Sequence, residues 1–137
     1  MSERFPKMMS FGLIVLLAAL YTLGLYFQLY WRLTWYDRML HLLGGFWVGF
    51  VASGFIFFDR FVSRRLSRAI VVGIVSAIIV GTVWELFELI VGFTALIDPT
   101  YAADTMSDFI CDIIGGIAGA CYYVMRIKNT SVWIPKK

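Results

Sequence analysis

The strongest constraint on this chain is that its apolar residues fall into four runs too long for a small soluble core. They cover about residues 8–31, 39–58, 69–97 and 109–125. A helix needs about 20 apolar residues to cross a hydrocarbon layer ~30 Å thick. Each run is close to or above that length, the fourth being shortest. A soluble reading would have to enclose a chain that is 61% hydrophobic within 137 residues, and a domain of that size leaves too much of its surface facing water. Charged residues make up 15% and sit in clusters between the runs, as expected when a bilayer excludes charge from helix interiors. The chain therefore reads as an all-α integral membrane bundle of four transmembrane helices, a single domain over residues 1–137.

Lys and Arg set the expected orientation. Arg4 and Lys7 precede the first run; Arg60, Arg64, Arg65 and Arg68 lie between the second and third; Arg126, Lys128, Lys136 and Lys137 follow the fourth. The first connection has Arg32 and Arg38, and the segment from Asp98 to Asp108 has none. The positive-inside rule then puts both termini in the cytoplasm. Trp31, Trp35, Tyr36 and Tyr101 fall at run ends, as in an interfacial aromatic belt. The basic residues thus serve topology, and no nucleic-acid partner is read from the net charge of +3. The first run follows basic residues as a signal peptide would, but it lacks a small-residue cleavage site and reads as a retained helix. Cys111 and Cys121 are ten residues apart in one run, roughly 15 Å along a helix, too far to pair.

Of nine acidic residues, Glu3 and Asp59 belong to the cytoplasmic segments and the other seven converge on the opposite side. Asp37 and His41 open the second helix, Glu85 and Glu88 lie in the outer half of the third, and Asp104, Asp108 and Asp112 lead into the fourth. Asp98, next to Pro99, reads as a solvated loop residue. Residues four apart share a helix face. The row from Asp37 and His41 continues through Gly45, Gly49 and Ser53; the row from Asp104, Asp108 and Asp112 continues through Gly116 and Ala120, with Gly115 and Gly119 adjoining. Gly81 and Gly92 flank Glu85 and Glu88, and the long third run is expected to tilt, to extend past the membrane or to break near Gly92. These three helices would then carry a polar top above small residues that permit close packing, enclosing a polar cavity open to the outer side. A carboxylate at a helix N-terminus is also an ordinary cap, which is the competing reading for Asp37 and Asp108. Glu85, Glu88 and Asp112 resist it, because a charge inside a span costs about 2.5–3.5 kcal/mol and usually marks a functional cavity.

So many carboxylates cannot all ionise uncompensated. They can share protons as general acids and bases, bind a divalent cation, or pair with Arg32, Arg38 and His41. An oxygen-rich set with one imidazole suits Mg²⁺, Mn²⁺ or Ca²⁺, and Zn²⁺ less specifically, although neither H-E-x-x-H nor C-x-x-C is present. No nucleotide loop or serine elbow occurs. The simplest catalytic scheme has His41, oriented by Asp37, as base on a water or hydroxyl, with Glu85, Glu88, Asp108 and Asp112 protonating a leaving group or holding a cation. Arg38 and Asp104 are the candidate substrate contacts.

The segments Y-D-R-M-L-H-L-L-G-G, W-E-L-F-E and D-T-M-S-D-F-I-C-D-I-I-G-G-I-A-G together resemble the YjdF-like and VanZ-like families of small bacterial membrane proteins, over about Tyr36 to Gly119. The resemblance carries the family's basic residue onto Arg38, its His onto His41, and its acids onto Glu85 and Asp108. Asp112 stands where VanZ-like proteins usually have Asn, so the YjdF-like pattern is closer. VanZ-like proteins are linked to glycopeptide resistance and are proposed relatives of enzymes that exchange or hydrolyse lipid head groups. The resemblance therefore implies a bacterial plasma-membrane location and an outer-leaflet lipid substrate.

Three functions follow as expectations. The first is an intramembrane enzyme acting on a phosphate-containing lipid head group, with membrane lipids as partners. The second is a transporter or channel component whose carboxylates carry protons or cations. The third is an assembly protein whose small-residue faces dock a partner helix or a second copy of the chain.

Overall fold

A computed structural model describes residues 4–57, 65–93, 96–97 and 99–131, with side chains from 6 to 126 within those limits. Glu3, Asp59, Arg60, Arg64, Asp98, Lys136 and Lys137, and the side chains of Arg4 and Lys128, lie outside what is described. The elements are α1 (Arg4–Tyr26), α2 (Leu29–Arg32), α3 (Tyr36–Ile56), α4 (Leu66–Val91) and α5 (Tyr101–Ser131). No strand occurs among the described residues. Four helical stretches are long and apolar enough to cross a membrane: Pro6–Tyr26, Tyr36–Ile56, Leu66–Val91 and Tyr101–Arg126.

Helix ends depart from the apolar runs where local backbone chemistry overrides hydropathy. The first run continues to Trp31, but α1 stops at Tyr26 because Gln28 adopts the left-handed conformation, φ 56°, which a helix cannot continue through. The short α2 then folds Tyr30 back against Tyr21 and Tyr36, ring centroids 6.0 and 5.4 Å away. At Gly92, φ 78°, α4 ends in a glycine cap, and the Phe93 N–H bonds the Glu88 carbonyl at 3.0 Å, the 6→1 bond of a Schellman motif. The expected break near Gly92 is thus a helix end. By contrast α5 begins at Tyr101, eight residues before the apolar run at 109, since the Ala103 and Asp104 N–H groups bond the Thr100 carbonyl, each at 3.0 Å. Asp104 in its first turn suits a helix N-terminus, so polarity there extends the helix instead of ending it.

The core is built on small residues. The α3 row His41, Gly45, Gly49 and Ser53 is buried, as is the α4 row Ala69, Gly73, Ala77, Gly81 and Glu85, while Asp108, Asp112, Gly116 and Ala120 are the buried row of α5. A methyl group added at Gly45 would strike the Asp112 backbone, one at Gly49 the Gly116 backbone, and one at Gly115 or Gly119 the carbonyls of Leu42 or Phe46. Gly73 meets Gly116 from the third side. Three helix backbones therefore touch along α5, which sits between α3 and α4. Close backbone approach takes the role that hydrophobic burial plays in water, because lipid offers no drive for apolar helices to associate. The end of the bundle away from the acidic residues is filled by Phe50, Phe57, Ala69, Ala120, Tyr123 and Val124.

On the outside of α3 lies α1, joined to it by two hydrogen bonds: the Trp47 indole N–H donates to the Ser10 carbonyl at 2.9 Å, and the Tyr36 hydroxyl to the Leu20 carbonyl at 2.7 Å. Tyr36 is thus a buried tie and not a belt residue, whereas Trp31 and Trp35 are exposed. Cys111 and Cys121 are unbonded, half-buried thiols.

Gly49→Ala should lower the unfolding midpoint in detergent, by an overpacking cost of about 1–3 kcal/mol. Gly12→Ala, where the added carbon meets nothing within 4 Å, should leave the midpoint unchanged. Equal effects at the two positions would refute backbone contact as the organising feature.

Candidate functional site

The backbone contact of Gly45 with Asp112 sets the geometry of the site. It draws α5 against α3 one turn from His41, and the His41 Nδ1 then stands 3.1 Å from Asp112 Oδ2. The Nδ1–H donates to the carboxylate, which accepts. Asp37, one turn earlier on α3, lies 3.8 Å from His41 Nε2, beyond hydrogen-bond length. Asp112, and not Asp37, is therefore the residue that orients the imidazole. The expectation followed spacing along one helix, and the closer partner comes across a glycine contact.

Four polar side chains are buried here: His41, Glu85, Asp108 and Asp112 are 5%, 7%, 5% and 6% exposed. The Thr105 hydroxyl donates to Glu85 Oε2 at 2.9 Å, while Glu85 Oε1 and His41 Nε2 have no hydrogen-bond partner among the described residues. Half-buried Glu88 accepts the Trp84 indole N–H at 3.0 Å. The reading of Asp108 as an N-terminal cap fails, since α5 has already run for two turns when it reaches that residue. Asp37 does lie in the first turn of α3, yet α3 has no side-chain cap bond.

Arg38 and Asp104 form the rim. Arg38 Nη2 is 3.7 Å from Asp104 Oδ1, both side chains about half exposed, and Arg38 Nε donates to Ser107 Oγ at 3.1 Å. Ser107 donates in turn to the Asp104 carbonyl at 2.7 Å. The guanidinium is thus held at the rim, and the carboxylates close to His41 are buried Asp112 at 3.1 Å and half-buried Asp37 at 3.8 Å.

Two cavities meet at this cluster. One, of about 510 Å³, is polar and lies between α2, the start of α3, the end of α4 and the start of α5; Asp37, Arg38, Glu85, Glu88, Asp104 and Asp108 line it. The other, of about 390 Å³, is an apolar cleft between α1, α3 and α4 that includes Leu17, Trp47, Val80 and Phe87 and ends on His41 and Asp112. Tyr21, Tyr30 and Asp37 belong to both. Burial, reinforced by the charge on Asp37, pushes the Tyr30 hydroxyl above its ordinary range, so it remains a neutral donor.

A family profile described as "Predicted membrane protein (DUF2238)" matches residues 2–129. The chain belongs to this family. It is thus a member of a family of predicted multi-pass membrane proteins, in agreement with its four apolar helices. No curated protein and no solved structure matches the sequence.

All eight sequence candidates of this DUF2238 member lie at one end of the bundle, six in or beside the buried cluster and Arg38 with Asp104 at the rim. Tyr21, Tyr30, Trp84 and Thr105 escaped the sequence reading. Uncharged aromatic and hydroxyl residues in apolar helices look like filler, and the available signal was that Tyr21 and Trp84 sit within runs instead of at their ends. The two rings stack edge to face, centroids 5.5 Å apart, and so close α1 over α4 above the cleft.

Burial decides which ion pair matters. His41→Ala leaves the Asp112 carboxylate buried and unpaired and should cost about 3–5 kcal/mol, whereas Arg38→Ala breaks an exposed pair and should cost no more than about 1 kcal/mol. Equilibrium unfolding in mixed detergent compares them directly. Equal losses would contradict the buried His41–Asp112 contact.

Proposed function

We propose that this protein is an intramembrane enzyme that binds a lipid carrying a phosphate-containing head group and cleaves or exchanges that group. The observation that supports it best is the join between the two cavities. A polar chamber lined by acid, hydroxyl and guanidinium groups shares walls with an apolar cleft that runs about 15 Å along α4 from Ala77 to Phe87. Such a pair of spaces matches an amphiphile, with the head group in the chamber and a hydrocarbon chain between α1 and α4. Ligand sites combine an apolar lining with a few convergent polar groups in this way.

In this reading Tyr30 and the rim Arg38 are hydrogen-bond donors to the phosphate oxygens, and Thr105 holds Glu85 in the chamber wall. Asp37 and Glu88, half-buried in the chamber wall, exchange the protons. A water or hydroxyl oxygen attacks phosphorus and gives its proton to one carboxylate. The ester bond to the leaving oxygen breaks, and that oxygen takes a proton from the other carboxylic acid. The resemblance to the YjdF-like and VanZ-like proteins supports the same substrate class. Against a transporter stands the closed end at Phe50, Phe57 and Tyr123, which offers carboxylates no continuation. Against a docking scaffold, the glycine rows are already filled by neighbouring helices of the same chain.

Turnover of a phospholipid or polyprenyl phosphate by purified protein in mixed micelles tests the reading, and Glu88→Gln should reduce it by 10²-fold or more, on the order of a general acid–base contribution. Gly44 lines the cleft with nothing within 4 Å of an added side-chain carbon. Gly44→Leu should therefore raise KM for a long-chain substrate with a much smaller effect on a short-chain analogue. Loss of both alike would argue against the cleft as the chain site.

The distribution of Lys and Arg supports placing the acidic end outside the cytoplasm. Ala102→Cys, at an exposed position of α5 in a background lacking Cys111 and Cys121, should react with a membrane-impermeant maleimide added to intact cells. Labelling only after lysis would reverse the orientation.

A further inference from the structure

The head-group reading leaves an electrostatic problem, because an anionic phosphate would enter a chamber walled by carboxylates while Arg38 is held at the rim. The buried atoms supply an answer. His41 Nε2 and Glu85 Oε1, on side chains more than nine-tenths buried, lack hydrogen-bond partners among the described residues. Ligand atoms of His41, Glu85 and Asp108 all lie within 4.8 Å of one another, as do those of Asp37, His41 and Glu88. Donors about 2.0–2.3 Å from a shared ion stand no more than about 4.5 Å apart, so small side-chain shifts convert this spacing into a coordination set.

We propose that His41 Nε2, Glu85 and Asp108 hold one divalent cation, for which Mn²⁺ is the best match, and that Asp112 is the positioning residue behind it. The proposal takes its purpose from the head-group reading and its donors from geometry alone. With Nδ1 bonded to Asp112 at 3.1 Å, Nε2 is the nitrogen left to coordinate, and it does so with release of any proton it carries. Metal-bound histidines almost always give their second nitrogen to a carboxylate or carbonyl in this manner. The two three-residue groupings share His41, and its Nδ1 is taken by Asp112, so Asp37 and Glu88 are assigned as neighbours of the same ion and not as a second site. Two hard carboxylates beside a single imidazole lie between the all-oxygen preference of Mg²⁺ and the nitrogen and sulfur preference of Zn²⁺, which favours Mn²⁺. Glu85 and Asp108 also line the polar chamber. The ion's remaining coordination positions would face the head group and add positive charge deeper in the chamber than Arg38, which is held at the rim.

Protein purified in detergent, stripped with chelator and desalted, is titrated with Mn²⁺ and followed by electron paramagnetic resonance and elemental analysis. One ion per chain is expected. Glu85→Gln and Asp108→Asn should each weaken binding at least tenfold. Asp112→Asn should weaken it by about 10–100-fold, as loss of an outer carboxylate does, while one ion still binds at saturation. Competition by Zn²⁺ for the same site needs no variant and covers the case in which a substitution fails to fold. No binding by folded wild-type protein at millimolar Mn²⁺, or binding untouched by both carboxylate changes, would overturn the site. Stoichiometric Mn²⁺ in a protein without lipid turnover would remove the head-group reading and keep the ion. Turnover by the stripped protein in chelator would do the reverse.

Discussion

The contact on which this structure depends is the approach of α5 to α3 over glycine. Because Gly45 and Gly49 have no side chains, the Asp112 and Gly116 backbones reach the surface of α3 itself. That approach puts a buried carboxylate within 3.1 Å of a buried imidazole. A larger residue at either glycine would separate the helices and also break the ion pair, so packing and polar chemistry share one constraint. In a bilayer the coupling is sharper than in water. Apolar association contributes little between helices already solvated by lipid tails, and a separated Asp112 would be left as an uncompensated charge in a low-dielectric medium.

The same geometry explains why one end of the bundle is solid and the other hollow. Towards the end at which α3 finishes, Phe50, Phe57, Tyr123 and Val124 fill the space between helices. Towards the acidic end the fillers give way to polar residues that cannot be packed as densely without partners, and α1 stands off from α4. Two edge-to-face contacts, Tyr21 with Trp84 and Tyr21 with Tyr30, bridge the gap at its top, and the cleft lies beneath them. The cavities are therefore a consequence of which interfaces contain glycine and which do not. The α1 face meets α3 through two side-chain-to-carbonyl hydrogen bonds, which hold it beside the bundle without filling the space next to α4.

Much of this was legible in the residues alone. Four spans follow from hydropathy, and the rows Asp37–His41–Gly45–Gly49–Ser53 and Asp104–Asp108–Asp112–Gly116–Ala120 follow from period; the structure buries the second row from Asp108 onward and the first from His41 onward. What failed was information that period does not hold. Spacing within one helix suggested Asp37 as the partner of His41, whereas the nearer carboxylate belongs to another helix and depends on how closely two backbones meet. The left-handed Gln28 that ends α1 has no glycine or proline to announce it, and the extra two turns of α5 are polar and so invisible to a search for apolar runs. Tyr36 looked like a belt residue because it ends a run, but its hydroxyl had a free carbonyl within reach at Leu20.

Charge balance connects these features to function. A bundle needing only stability could have placed apolar side chains at 41, 85, 108 and 112, since replacing a buried ion pair by well-packed apolar groups is often neutral or stabilising. Glycine at 45 and 81 would then still allow the helices to meet. Instead one imidazole faces several carboxylates, the nearest guanidinium is turned to the rim by Asp104 and Ser107, and among the described residues four buried side-chain atoms, on Tyr30, His41, Ser53 and Glu85, are left without a hydrogen-bond partner. An unmet donor or acceptor in such a place costs about 1–3 kcal/mol. Two of these atoms, His41 Nε2 and Glu85 Oε1, lie close to the meeting point of a polar chamber and an apolar cleft. A bound cation would satisfy both atoms and reduce the repulsion among the carboxylates. Three of the four unmet atoms, on Tyr30, His41 and Glu85, belong to residues that line the cavities, and that bias is what separates a site built to bind from one built only to pack.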